Sequence, residues 1–203
     1  MSLARSMVNK IKQASTALFV CDIQERFRPM IYQFPSLIST ASKMLQASKI
    51  LNLPVIVTEQ NSKALGNTVP ELDIGHAQMV VPKSLFSMYV PEVSEALKSK
   101  DIKSVVLLGI ESHVCVLQTT LDLLENGYDV HVLADGVSSM NYPEIDVALN
   151  RMRQAGANIT TSESILFQLL VDAKHENFKQ ISNLIKQFKD ETSNNKLLFR
   201  HSL

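Results

Sequence analysis

The chain has 203 residues, 45% of them hydrophobic and 20% charged, which is ordinary globular composition with enough length for one domain around a sizeable core. Lys+Arg 20 and Asp+Glu 20 cancel to a formal net charge of +0, so no overall electrostatic pull toward nucleic acid or an anionic membrane exists, and a small-molecule ligand is expected. Two cysteines without a signal-peptide pattern ahead of them are not a secreted disulfide framework.

A cytoplasmic, reducing setting is therefore expected. Arg5, Lys10 and Lys12 precede the first acid, Asp22, a pattern shared with mitochondrial transit peptides, but it is read here as a short amphipathic helix on the domain. From there, short β-rich runs alternate with helical patterns, the signature of βα units around a parallel sheet. Six strands are predicted at Thr16 to Asp22, Leu53 to Glu59, Ala77 to Lys83, Lys103 to Gly109, Asp129 to Asp135 and Ala157 to Thr160. Most are nearly continuous apolar runs, as strands covered on both faces require. No apolar run is long enough to span a bilayer.

Helical spacing joins Leu37, Ala41, Met44 and Leu45, then Val114, Leu117, Leu121 and Leu124, then Ile145, Ala148, Leu149 and Met152. Phe178, Ile181, Ile185 and Phe188 mark a last helix, after which DETSNNK reads as a polar break before an end that is mobile or packs on a neighbouring subunit. The expectation is a single domain over 1–203, with a core at about 16–170 and a C-terminal helix and tail over 174–203. Gly66, Pro70 and Gly75 interrupt Gln60 to His76, a candidate lid or rim over a site.

In a doubly wound sheet the ligand crevice opens beyond the carboxyl ends of the strands, where strand order reverses. Asp22, Lys83 and Cys115 all follow such ends. In the order 3-2-1-4-5-6, Asp22 lies beside the turn that carries Cys115, and Lys83 starts two strands away, roughly 10 Å at the usual spacing. A long side chain covers much of that gap. A carboxylate can take the thiol proton, an ammonium can stabilise the thiolate, and the thiolate can attack a carbonyl carbon. Backbone N–H groups near Glu111 and Cys115, at the start of the following helix, are candidates for the oxyanion. Singly, each residue also has a plain structural reading: Cys115 as a small buried hydrophobe, Asp22 as a turn cap, Lys83 as a surface charge.

His113 lies two residues from Cys115 and points elsewhere on a helix, which makes it a poor base. The histidines have no ligand spacing, G-x-G-x-x-G and P-loop patterns are absent, and neither metal nor cofactor is expected. Phe27, Phe86 and Tyr89 are candidates for a substrate pocket wall because they follow catalytic strand ends. Redox sensing through Cys115 is a further possibility, short of a resolving thiol because Cys21 is expected inside the first strand.

FVCDIQERF with Asp22, VPKSLFSM with Lys83 and LLGIESHVCV with Cys115, followed by DGVSS at Asp135 to Ser139 and ALNRMRQAGANI, resemble the signature segments of the isochorismatase-like cysteine hydrolases, in particular the eukaryotic isochorismatase domain-containing proteins. The resemblance spans about Thr16 to Leu170. It implies a three-layer α/β/α sandwich, Rossmann-like, with a six-stranded mostly parallel sheet, an Asp22-Lys83-Cys115 triad, and a cis peptide between Ile110 and Glu111 that aims N–H groups into the site. It also implies dimers or larger homo-oligomers. Nicotinamidases of the superfamily carry a metal site of Asp and histidines after the second strand, where this chain has Glu59-Gln60-Asn61, and true isochorismatases lack the cysteine. Hydrolysis of a small amide, carbamoyl or ureide C–N bond through a thioester fits these departures, and a weakly active interaction module is the rival.

Overall fold

The computed structural model describes residues 10–198. Its frame is a six-stranded sheet of β1 (Thr16–Cys21), β2 (Val55–Gln60), β3 (Met79–Lys83), β4 (Ser104–Ile110), β5 (Asp129–Ser138) and β6 (Asn158–Thr160). The spatial order is β3-β2-β1-β4-β5-β6 and every pairing is parallel. Parallel neighbours need crossovers, supplied here by α1 (Phe34–Ile50), α2 (Ser62–Leu65), α3 (Pro91–Ser99), α4 (Leu117–Glu125) and α5 (Tyr142–Ala155). The chain then adds α6 (Ser162–Leu170), α7 (Phe178–Gln187) and α8 (Lys189–Ser193).

Helices cover both sides of the sheet, with α1 packed against α6, α7 and α8, and α4 against α5. Every residue of β1 and β4 is consequently buried, which explains their unbroken apolar runs. Phe19, Leu18, Leu107 and Leu108 are wholly buried there, and burying such side chains stabilises the fold by about 1.5–3 kcal/mol each. β1 and β4 are also where the chain reverses its direction of travel across the sheet, so the crevice lies over their carboxyl ends.

The six predicted strands all form, with β5 running three residues further than Asp135. The ladder between β4 and β5 is interrupted between Leu107 and Gly109, and there the Asp135 carbonyl accepts instead from Thr40 Oγ1 at 2.8 Å. The side-chain bond bridges the break and lets pairing resume at Val137 and Ser138.

The C-terminal end departs from the expected mobile or intersubunit tail as far as residue 198. Lys189–Ser193 is helical, and Asn195 beyond it is buried, with Nδ2 donating to the Asp135 carbonyl at 3.0 Å and to Thr40 Oγ1 at 3.2 Å. Leu197 is fully covered. The polar DETSNNK segment thus folds back because one of its amides satisfies the carbonyl exposed at the β5 break. Most of the amphipathic helix expected near the amino end falls on residues 1–9, outside the described residues; Lys10 to Lys12 are not helical, and one 3₁₀ turn, Gln13–Ser15, leads into β1.

Between β2 and β3 the chain is pinned rather than free to swing. Thr68 N–H and Oγ1 both donate to Glu59 Oε1, at 2.7 and 2.9 Å, Thr68 bridges to Gln24, and Val69 and Leu72 are buried. This segment is a fixed rim. No helix among the described residues is long and apolar enough to cross a membrane.

Candidate active site

β1 ends at Cys21, and strand alternation would send the Cys21 and Asp22 side chains to opposite faces. Asp22 instead has φ 51, a left-handed conformation that Asp tolerates better than most residues. The carboxylate is thereby turned back beside its neighbour, with Cys21 Sγ 3.6 Å from Asp22 Oδ2. Thr58, paired with Cys21 in the β1–β2 register, donates its hydroxyl to Asp22 Oδ1 at 2.7 Å.

Lys83 closes β3 in register with Gln60. Its side chain reaches across β2, and Nζ donates to Asp22 Oδ2 at 2.7 Å, Gln60 Oε1 at 2.7 Å, the Phe86 carbonyl at 2.9 Å and the Leu85 carbonyl at 3.1 Å. Both charged side chains are only 1% exposed. A buried ion pair persists only when its remaining hydrogen-bonding capacity is met, and here carbonyls and amides meet it.

β4 delivers the third group. The Ile110–Glu111 peptide is cis, and a π-helical turn, Ser112–Val116, follows before α4 begins. Cys115 therefore lies inside a widened turn, not in the first turn of a regular α-helix as expected. The Glu111 carbonyl accepts from both Val114 and Val116 N–H at 3.1 Å, and the Cys115 carbonyl from Thr119 Oγ1 at 2.6 Å. Cys115 is 7% exposed.

The Cys21 thiol is fully buried and donates to Asp22 Oδ2. Burial above all, and the negative charge of Asp22, push its pKa well above the ordinary thiol value against the opposing pull of Lys83. Cys21 belongs to the first strand, as expected.

His113 Nδ1 is 3.0 Å from Ser139 Oγ, and Glu111 Oε2 accepts from Met140 N–H at 2.8 Å. Of the three aromatic candidates, Phe86 is 49% exposed beside the carbonyl that holds Lys83, and Phe27 is partly buried against the core. Tyr89 is corrected: its ring packs edge-on against Tyr128 with centroids 5.8 Å apart, at the amino end of β5, away from the crevice. Among the described residues no group of three or more His, Cys, Asp or Glu is placed to hold a metal ion.

Residue patterning passed over Thr58 and Gln24. Thr58 is a lone hydroxyl in an apolar buried strand, one position from its acidic end, and that misfit was the available signal. Gln24 is wholly buried and bonds only through distant backbone, which no local pattern reveals.

The isochorismatase domain matches residues 16–164 of this chain. The chain belongs to the isochorismatase domain family. Isochorismatase domain-containing protein 2 of Xenopus laevis is 50% identical over 181 residues, covering 89% of this chain and 88% of that protein. Isochorismatase domain-containing protein 1 of Salmo salar is 48% identical over 182 residues, and the match takes in 89% of this chain but 64% of that longer protein. The secreted isochorismatase effector Isc1 of Phytophthora sojae is 48% identical over 193 residues, 92% of each chain. Among solved structures, the MAR1 ribonuclease of Caenorhabditis elegans superposes with a TM-score of 0.84 at 45% identity, covering 88% of this chain and 93% of that one. The Escherichia coli YcaC product, an octameric hydrolase of unknown specificity, shares the fold of this isochorismatase-domain chain at a TM-score of 0.80 and 23% identity, over 94% and 95% of the two chains.

Proposed function

We propose that this isochorismatase-domain protein is a cysteine hydrolase of a C–N bond in a small amide, carbamoyl compound or ureide, with Asp22, Lys83 and Cys115 as its catalytic residues. The observation that carries the reading is the buried Asp22–Lys83 pair, with Nζ 2.7 Å from Oδ2, at the carboxyl end of β1 and beside β4, the strand that leads to Cys115. A pair so placed has no stabilising advantage over apolar residues of similar volume, and its location at the strand-order reversal is where α/β sheets hold ligands.

In this reading Asp22 takes the Cys115 proton and the thiolate attacks the carbonyl carbon. The tetrahedral oxyanion is received by backbone N–H groups of the Ile110, Glu111 and Cys115 turn. Asp22 returns the proton to the leaving nitrogen as the C–N bond breaks, leaving a thioester on Cys115. Asp22 then takes a proton from water, whose oxygen attacks the thioester, and Cys115 leaves as the thiol with the acid as product. Lys83 holds the Asp22 carboxylate in place and offsets the negative charge of the thiolate. Phe27 and Phe86 are the pocket-wall residues of this proposal. The whole of 1–203 acts as one domain in the cytoplasm, without cofactor. It forms a homo-oligomer, because Leu85, Phe86 and Met140 are 60%, 49% and 47% exposed apolar side chains on the segments that rim the site.

The test is the rate of iodoacetamide alkylation of Cys115 against pH, read by mass spectrometry, in the native chain, Asp22→Asn and Lys83→Ala, followed by a screen of amides and ureides. Alkylation of Cys115 at a rate that changes in both variants is expected. An inert Cys115, or one indifferent to both changes, would overturn the reading in favour of an interaction module. Because a structural relative is a ribonuclease, single-stranded RNA belongs in the screen, and cleavage lost with Cys115→Ala would replace the C–N substrate class.

A further inference from the structure

The segment after β3 is tied by its main chain to both halves of the candidate site. Gln60 Nε2 donates to the Ser84 carbonyl at 2.8 Å, and Lys83 Nζ to the Leu85 and Phe86 carbonyls at 3.1 and 2.9 Å, so two side chains capture three consecutive carbonyls. Two residues on, Met88 N–H donates to Thr119 Oγ1 at 2.8 Å, and that hydroxyl donates to the Cys115 carbonyl at 2.6 Å. Ser84 to Met88 thus runs from the Asp22–Lys83 pair to the turn that holds Cys115, with Phe86 at its middle. Capture through the main chain leaves the side chain free, and Phe86 is 49% exposed. We infer that Gln60 is a positioning residue for substrate, fixing this segment so that Phe86 is a wall for an apolar substituent carried next to the scissile C–N bond. The inference rests on the proposed function for the reaction and adds the class of substrate, an amide or ureide that bears an aromatic or aliphatic group.

The chemistry of its two partners makes the amide of Gln60 hard to replace. An ammonium only donates and a carbonyl only accepts, so the amide that joins them must turn Oε1 to Lys83, at 2.7 Å, and Nε2 to Ser84. A carboxylate at this position keeps the first bond and sets an oxygen against the Ser84 carbonyl, and an aliphatic side chain loses both bonds. Lys83 cannot take over the Ser84 carbonyl, because its three N–H groups already serve four acceptors, Asp22 Oδ2 and Gln60 Oε1 together with the Leu85 and Phe86 carbonyls. For the same reason no Lys83 N–H is left to meet substrate. What this segment offers a substrate is the Phe86 ring, and Gln60 sets where the ring stands.

The experiment compares alkylation of Cys115 by iodoacetamide and by N-phenyl iodoacetamide in the native full chain, Gln60→Glu, Gln60→Leu and Phe86→Ala, read by mass spectrometry of the Cys115 peptide. With either reagent the sulfur displaces iodide. The ratio of the two rates, divided by the same ratio for glutathione, therefore cancels the reactivity of the thiol itself and reports contact with the phenyl group. A preference for the phenyl reagent of about tenfold is expected in the native chain, falling to the glutathione value in Phe86→Ala and in both Gln60 variants. With Phe86→Ala already in place, Gln60→Leu should change the ratio no further, because it acts through the ring. A native chain without the preference, or folded Gln60 variants that keep it, overturns the inference. Gln60 is partly exposed, and loss of folding in both of its variants, seen by circular dichroism, would assign it a structural role and overturn the inference as well. A Cys115 inert to iodoacetamide in the native chain defeats the hydrolase reading, whereas one that reacts without preferring the phenyl reagent defeats only the positioning role.

Discussion

Gln24 and Gln60 hold each other through reciprocal bonds between side chain and main chain: Gln60 N–H donates to Gln24 Oε1 at 2.8 Å, and Gln24 Nε2 donates to the Gln60 carbonyl at 3.0 Å. Gln24 Nε2 also reaches the Gly66 carbonyl at 2.6 Å, and Gln60 passes the constraint on by accepting from Lys83 Nζ. One buried amide therefore ties the loop after β1, the end of β2 and the rim segment to the position of the ammonium. Gln24→Ala strands Gln60 N–H without its partner and is expected to cost about 2 kcal/mol. In a chain of this size that lowers the melting midpoint by roughly 4–8 °C, measurable by thermal circular dichroism.

The Asp22–Lys83 pair calls for a double-mutant cycle. Lys83→Met leaves a buried carboxylate without its cation and is expected to cost about 3–5 kcal/mol in urea unfolding. Asp22→Asn keeps the left-handed backbone accessible, since Asn adopts it readily, and in the background of Lys83→Met it should recover part of that loss. Simple additivity of the two changes would show that the pair is not coupled.

His131 makes stability fall in mild acid. It is 2% exposed on β5, its Nε2 has no hydrogen-bond partner, and burial lowers its pKa from 6.5, opposed in part by Asp129. Below pH 6.5 the unfolded chain binds a proton that the folded chain still refuses, so stability is full above that pH and declines as the pH drops toward the lowered folded value. In His131→Phe this loss is absent. His76, also shifted downward, contributes equally to both proteins and cancels in the difference. The gap in urea midpoint between variant and native chain should widen between about pH 7.5 and pH 5.

Asn195 tests whether the C-terminal segment is part of the fold. Its side chain serves the Asp135 carbonyl, Thr40 Oγ1 and, as acceptor, Leu197 N–H at 2.9 Å. Asn195→Ala is expected to destabilise by about 1–3 kcal/mol and to speed amide exchange at 194–198 and around Asp135. No change in exchange near Asp135 would show that the segment docks without supporting β5.

The amino-acid sequence determined the number of strands, their helical crossovers and the three chemical groups at strand ends, because hydrophobic periodicity and chain order are local properties and parallel topology follows from them. Strand register decided the rest. Whether Asp22 points toward Cys21 depends on one φ angle, the close approach of β1 to β4 at Cys21 depends on Gly109 lying opposite it, and the partners of Thr58, Gln24 and Asn195 are distant in the chain. Tyr89 illustrates the same limit: its nearness in sequence to Lys83 says nothing of a ring that turns to Tyr128. Contacts between residues far apart in the chain are selected by packing of the whole molecule, so only the tertiary structure could show them.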